Sequence, residues 1–233
     1  MKVVIIISAN GEWEAVKSMY AEAKIESSPF GEYFETIIEQ RTLTFFHGGW
    51  GKVSAAATTQ FVIDQYHPDL IVNLGTCGGF QERIELGTII LVERTIIYDI
   101  VEQMTDPVEA IDHYATKLDL NWLPRITPSP VARGLLVSAD RDIMVGDIAG
   151  LIEKYDAVAA DWESGAIAWV AQKNNQRLLI LRCVSDLVGE DGGEAYGDYE
   201  LFMGRTKEII RRLIEILPRW LIGIEKVQLG YRV

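Results

Sequence analysis

The feature that most restricts the fold of this chain is a set of short, unbroken apolar runs, several of which end in polar or glycine residues. Val3 to Ser8, Leu70 to Leu74 and Arg177 to Val184 are the clearest. Strand-length runs without alternation suit strands buried on both faces. Between them lie stretches of helical character: Glu12 to Ala23, with Trp13, Val16, Met19 and Tyr20 near one face, then Val53 to Tyr66, Val145 to Lys154, Trp162 to Lys173 and Tyr199 to Trp220. Strands alternating with helices predict an α/β chain with a three-layer sheet and helices on both faces.

The remaining segments fit that frame. Tyr33–Glu39 and Thr42–Phe46 read as short strands joined at Gln40-Arg41 in a hairpin. Thr88–Ile100 reads as a long strand, Leu135–Ser138 and Ala157–Ala160 as short ones. Gly48-Gly49-Trp50-Gly51 suits a tight turn and close backbone approach. Asp106 to Pro130, with Pro107, Pro124, Pro128 and Pro130, shows no period and predicts a long irregular excursion. Pro218 predicts a break in the last helix. With no internal repeat or composition shift, the 233 residues read as a single domain, 1–233.

Composition excludes some classes of function. A net charge of -12 repels phosphate backbones and argues against nucleic-acid binding. Cys77 and Cys183 sit in apolar contexts without CxxC spacing and read as buried free thiols of a reducing compartment. His47, His67 and His113 are scattered and predict no metal site. MKVVIIISAN superficially resembles a signal peptide. Its apolar run is too short to span a bilayer and leads straight into a charged amphipathic segment, so the expectation is a buried first strand in a cytoplasmic protein without a membrane anchor.

Chemistry is expected at the carboxyl ends of the strands, where open α/β sheets bind ligands. Ser8-Ala9-Asn10-Gly11-Glu12, Gly75-Thr76-Cys77-Gly78-Gly79, Ser138-Ala139-Asp140, Asp161-Trp162-Glu163 and Ser185-Asp186 all follow predicted strands. Each has two readings. Glu12 and Glu14 suit a helix N-terminus, or one of them is a general base for water. The glycine-rich run is either a turn or a backbone cradle for an anion or a flat ligand, and it lacks the lysine of a P-loop. Glu163 either caps a helix or accepts hydrogen bonds from ligand hydroxyls. Asp186 is either a cap or an acid in a cleft. Arg182, inside an apolar strand, requires a carboxylate such as Glu163 or Asp186, or else points outward at an edge.

GGWGKVSAAA (48–57), PDLIVNLGTCGGF (68–80), LLVSADRDI (135–143), ADWESGAIAWVA (160–171) and LRCVSDL (181–187) occur in that order. Together they resemble the 5′-methylthioadenosine/S-adenosylhomocysteine nucleosidases of the purine nucleoside phosphorylase superfamily, over roughly nine-tenths of the chain. The resemblance implies a three-layer α/β/α sandwich around a mixed, partly closed central sheet, a homodimer, no cofactor, and a cytoplasmic role in methionine salvage. It implies that Glu12 activates water, that Thr76 stands near the catalytic water or, in phosphorylases, the phosphate, that Cys77 and Gly78 bind the substrate, and that Glu163 holds the ribose hydroxyls. Arg182 organises the acids, Ser185 and Asp186 contact the purine, and Asp186 delivers a proton toward N7. Asp142 and Ile143 fall at the base, Trp162 at the ribose and Tyr196 at the 5′ side. Tyr98–Val101 is implied as the region that reaches a neighbouring subunit.

Two carboxylates suit such a cleavage, one protonating the leaving base and one deprotonating water on the opposite face. Phosphorylases of the superfamily carry an arginine where this chain has Asn73, which favours water over phosphate as nucleophile. Asp142 stands where these nucleosidases have a phenylalanine that stacks on the base, Trp162 where they have methionine, and Asp161 where they have glutamate. Phosphorolysis, cleavage of another nucleoside such as futalosine, and nucleoside binding without turnover therefore remain open. The segment after Trp220 lies outside the resemblance, with packing on a dimer and a free tail both open.

Overall fold

A computed structural model describes residues 1–231. The apolar run at the N-terminus forms β1 (Val3–Ile7), and α1 (Asn10–Met19) follows at once. The short β2 (Glu26–Ser27) leads into the hairpin of β3 (Glu32–Ile38) and β4 (Arg41–His47). The hairpin turns on Glu39 and Gln40, both at positive φ, one residue earlier than the sequence suggested. Then come α2 (Gly51–Tyr66), β5 (Leu70–Phe80) and β6 (Ile89–Ile97). The proline-rich excursion is more ordered than expected: it contains α3 (Pro107–His113), capped by the Asp106 carboxylate, and β7 (Thr116–Lys117). The rest comprises β8 (Ala132–Ser138), α4 (Val145–Tyr155), β9 (Ala157–Asp161), α5 (Ser164–Lys173), β10 (Leu178–Gly189), β11 (Gly192–Gly193) and α6 (Tyr199–Gln228).

Among the described residues, eleven strands join one mixed sheet, in the order β11-β10-β6-β8-β9-β5-β1-β4-β3-β2, with β7 on β6. A further pairing of β10 with β5 closes β5, β10, β6, β8 and β9 into a ring, and β1 to β4 extend from β5 as an open wing. This is the mixed, partly closed sheet that the resemblance implied. Alternate residues of β1 serve opposite layers. Val3, Ile5 and Ile7 pack with α1 and α6, whereas Val4 and Ile6 pack with α2 and α5.

Three sequence expectations are corrected. Gly75 to Gly79 is not a turn: β5 runs through it to Phe80 because β10 pairs with it along its whole length. Ser185 and Asp186 likewise lie inside β10, where a register shift between Val184 and Asp186 marks a bulge at Ser185. Pro218 does not end the last helix. α6 continues to Gln228, since burial of Leu217, Trp220, Leu221 and Ile224 outweighs the lost backbone hydrogen bond. Of the segment after Trp220, the part in α6 thus packs on its own chain, with Arg41 paired to Glu225 at 2.6 Å, and residues 232–233 lie outside the described residues.

Candidate active site

The C-terminal halves of β5 and β10, the end of β9 and the start of α1 enclose a cavity of about 750 Å³. It gathers eleven of the twelve site residues read from the sequence. Glu12, Thr76, Cys77, Gly78, Asp142, Ile143, Trp162, Glu163, Ser185, Asp186 and Tyr196 all line it. Arg182 does not: it stands behind the wall, 1% exposed.

Glu12 is brought in by the first turn of α1 and is itself 1% exposed. Its Oε1 accepts hydrogen bonds from the Thr76 backbone N–H at 2.5 Å and the Thr76 hydroxyl at 2.9 Å, and Oε2 accepts from the Ala9 N–H at 3.3 Å. This approach requires Gly75. A Cβ there would lie 2.0 Å from Nη1 of Arg182 and 2.7 Å from Oε1 of Glu12.

The partner of Arg182 is not the one expected. Its Nη2 lies 3.0 Å from Oδ2 of Asp161 and its Nη1 3.7 Å from Oε1 of Glu12, whereas neither Glu163 nor Asp186 forms an ion pair with it. The reason is topological. β8 and β9 set Ser138 beside Asp161, and the Ser138 hydroxyl donates to Asp161 at 2.6 Å, holding that carboxylate over Arg182. Asn73 also faces Arg182, accepting from Nη2 at 2.9 Å, and does not line the cavity.

Glu163 precedes α5 and is 4% exposed. Its Oε1 accepts the Gly51 N–H, at the start of α2, at 3.1 Å. Burial first, and the charge of Asp161 second, push its carboxyl up to about 8. Beside it Trp162 stacks on Trp50, with ring centroids 5.1 Å apart. Trp50 is a cavity residue that sequence reasoning assigned only to a turn. Asp161 was read in the sequence as part of a polar strand end and as a departure from the family pattern, but was given no role of its own.

At the other end Asp186 is 6% exposed, and burial raises its carboxyl above the ordinary range. Its Oδ1 accepts the Ser185 hydroxyl at 2.7 Å. Oδ2 would lie 3.9 Å from a Cβ at Gly78, where the bare backbone leaves the carboxyl open to the cavity. The Tyr196 hydroxyl donates to the Ile143 carbonyl at 3.1 Å, and Asp142 is exposed beside them. The Cys77 thiol is pushed well up by burial and stays neutral.

Thr76 and Gly78, the strand residues against which Glu12 and Asp186 lie, are two positions apart on one face of β5, roughly 7 Å. Two buried carboxyls thus face one cavity with space for a small ligand between them, and two more, Asp161 and Glu163, lie on its wall.

Residues 2–219 match the family described as the Phosphorylase superfamily. The chain belongs to that superfamily. Among its relatives, the 5′-methylthioadenosine/S-adenosylhomocysteine nucleosidase of Buchnera aphidicola is 28% identical over 206 residues, covering 80% of this chain and 85% of its own. The protein of the same name from Bacillus pumilus is 24% identical, covering 92% and 99%. The superfamily fold is equally clear in solved structures. The Neisseria meningitidis nucleosidase in complex with methylthio-immucillin-A superposes with a TM-score of 0.74 at 21% identity, covering 93% of this chain and 99% of that one.

Proposed function

We propose that the chain hydrolyses the N-glycosidic bond of a purine nucleoside of the 5′-methylthioadenosine/S-adenosylhomocysteine type, releasing free base and the sugar. The observation that carries this reading is the pair Glu12 and Asp186, buried on one cavity wall in unlike surroundings. Glu12 is held as an acceptor by two N–H groups and a hydroxyl and keeps lone pairs for a water. Asp186 has its proton affinity raised by burial and one oxygen free. In this reading Asp186 protonates the base at N7 so that it leaves neutral, and Glu12 takes a proton from the water that attacks the anomeric carbon. Glu163 accepts the sugar hydroxyls. The Glu12 and Asp161 carboxylates, only partly balanced by Arg182, stabilise the cationic sugar of the transition state.

Water rather than phosphate is the nucleophile because the cavity repels anions. Arg141 is the one cation lining it among the described residues, and Arg141 is tied to Asp147 at 2.6 Å. A phosphate would meet the Glu12 and Asp161 carboxylates instead. The lengths of chain shared with the nucleosidase relatives favour the same assignment. Homodimerisation through the Tyr98–Val101 region, where Val101 is exposed, completes the reading, along with a cytoplasmic setting. No helix among the described residues is long and apolar enough to cross a membrane.

The test is base release from a nucleoside panel, with methylthioadenosine and S-adenosylhomocysteine included, with and without phosphate. Phosphate-independent release is expected. Release only with phosphate, yielding a sugar 1-phosphate, would overturn hydrolysis.

A further inference from the structure

Asp161 ends β9 and is the one buried carboxylate of the cavity wall that the nucleosidase reading gives no individual task. Its hydrogen-bonding capacity is filled from within the protein. Oδ1 accepts the Ser138 hydroxyl at 2.6 Å and the Ser164 N–H at 3.2 Å. Oδ2 accepts the Ser164 hydroxyl, the same N–H at 3.1 Å, and Nη2 of Arg182 at 3.0 Å. Ser164 opens α5, so Asp161 serves the amide of the helix N-terminus, while Glu163, in the N-cap position, makes no capping bond with its side chain. Arg182 is otherwise engaged by Ser164, Asn73 and the Thr76 carbonyl. Its distance to Glu12, 3.7 Å, is longer than a hydrogen bond.

We propose that Asp161 is a positioning residue: by taking the Arg182 guanidinium and the first amide of α5, it leaves Glu12 and Glu163 facing the cavity with oxygens free for water and sugar hydroxyls. The names of those ligand groups rest on the nucleosidase reading. The electrostatic part rests on the geometry. Glu163 is faced by Asp161 from the end of β9, by Glu12 from α1, by Arg182 from β10, with Cys77 of β5 also acting on Arg182, and by the Gly51 N–H from α2. With one guanidinium among three carboxylates, the carboxylate nearest to it decides how much attraction the other two feel. The high proton affinity of Glu163, to which Asp161 contributes most after burial, agrees with this.

The experiment is a carbon-13 titration of glutamate carboxyls in the full chain, the Glu163 signal being assigned by its loss in Glu163→Gln. Asp161→Asn keeps an acceptor for Ser164 and removes the charge, so the Glu163 midpoint is expected to fall by about one pH unit or more. The acid limb of kcat/KM is expected to move the same way. Asp161→Glu keeps the charge and is expected to hold the midpoint while lowering kcat. An unmoved midpoint in Asp161→Asn would overturn the proposal, since a purely structural cap would lower yield or kcat without moving a titration. If Asp161→Asn does not fold, Asp161→Glu decides alone: a retained midpoint supports the proposal and a shifted one overturns it. The titration needs no turnover, so absence of base release by the unmodified protein would remove the nucleosidase reading separately.

Discussion

The two ends of the cavity are built differently. Around Glu12, Arg182, Asp161 and Glu163, every charged group is buried and already partnered by strand backbone, helix N-termini or serine hydroxyls. Around Asp186, Asp142 and Tyr196 the structure is looser. Asp186 accepts one side-chain hydrogen bond, Asp142 is exposed, and the Tyr196 side chain, on a residue 44% exposed, hydrogen-bonds only through its hydroxyl, to the Ile143 carbonyl. The first end is set into β5 and β10, and the second hangs on a bulge and on the short turn around β11. The difference separates two tasks. Stabilising charge in a transition state needs groups fixed in advance, whereas choosing a base can be left to segments that tolerate change.

The comparison breaks most severely at Gly75. Gly75→Ala drives a Cβ into the Arg182 guanidinium and the Glu12 carboxylate, so the buried pair must separate. The expected cost is about 3 kcal/mol or more, with activity lost, measured by urea unfolding. Next is Asp186→Asn, which keeps shape and removes the proton donor. Unfolding is expected to stay near wild type while kcat falls ~10²–10⁴-fold, and near-wild-type turnover would remove the acid role.

The pH dependence of stability sharpens the contrast. Glu163 binds its proton more tightly folded, about 8, than in an unfolded chain, so its stabilising contribution is complete below the ordinary carboxylate range and declines as pH rises toward and through 8. Urea midpoints at pH 6 and 8.5 should therefore differ more in wild type than in Glu163→Gln, and equal differences would contradict this. The smallest effect is expected at the loose end: Asp142→Asn should change KM on the order of tenfold or less and leave kcat nearly unchanged. A collapse of kcat would mean that Asp142 belongs with the rigid end.

The strand-forming runs and the polar residues that follow them were legible because strands buried on both faces impose continuous apolarity, and Glu12, Thr76, Glu163, Ser185 and Asp186, found at such strand ends, line one cavity, as do Asp142, Ile143 and Tyr196, which the resemblance supplied. Strand length was not legible. Gly75 to Gly79 and Ser185-Asp186 carry turn chemistry yet are held extended by β5–β10 pairing across about a hundred residues of sequence, which no local pattern reports. Pro218 misled for a similar reason, since the packing of Trp220 and Ile224 is tertiary. The partner of Arg182 depended on the lateral register of β8 and β9, so sequence could require a carboxylate without choosing Asp161 over Glu163.

Glu12 and Asp186 are proposed to cleave a nucleoside with water as the nucleophile. Cleavage of methylthioadenosine in oxygen-18 water, with phosphate present, followed by mass spectrometry of the sugar, tests it directly. One heavy oxygen at the anomeric carbon and free adenine are expected. A sugar 1-phosphate whose anomeric oxygen comes from phosphate would contradict it.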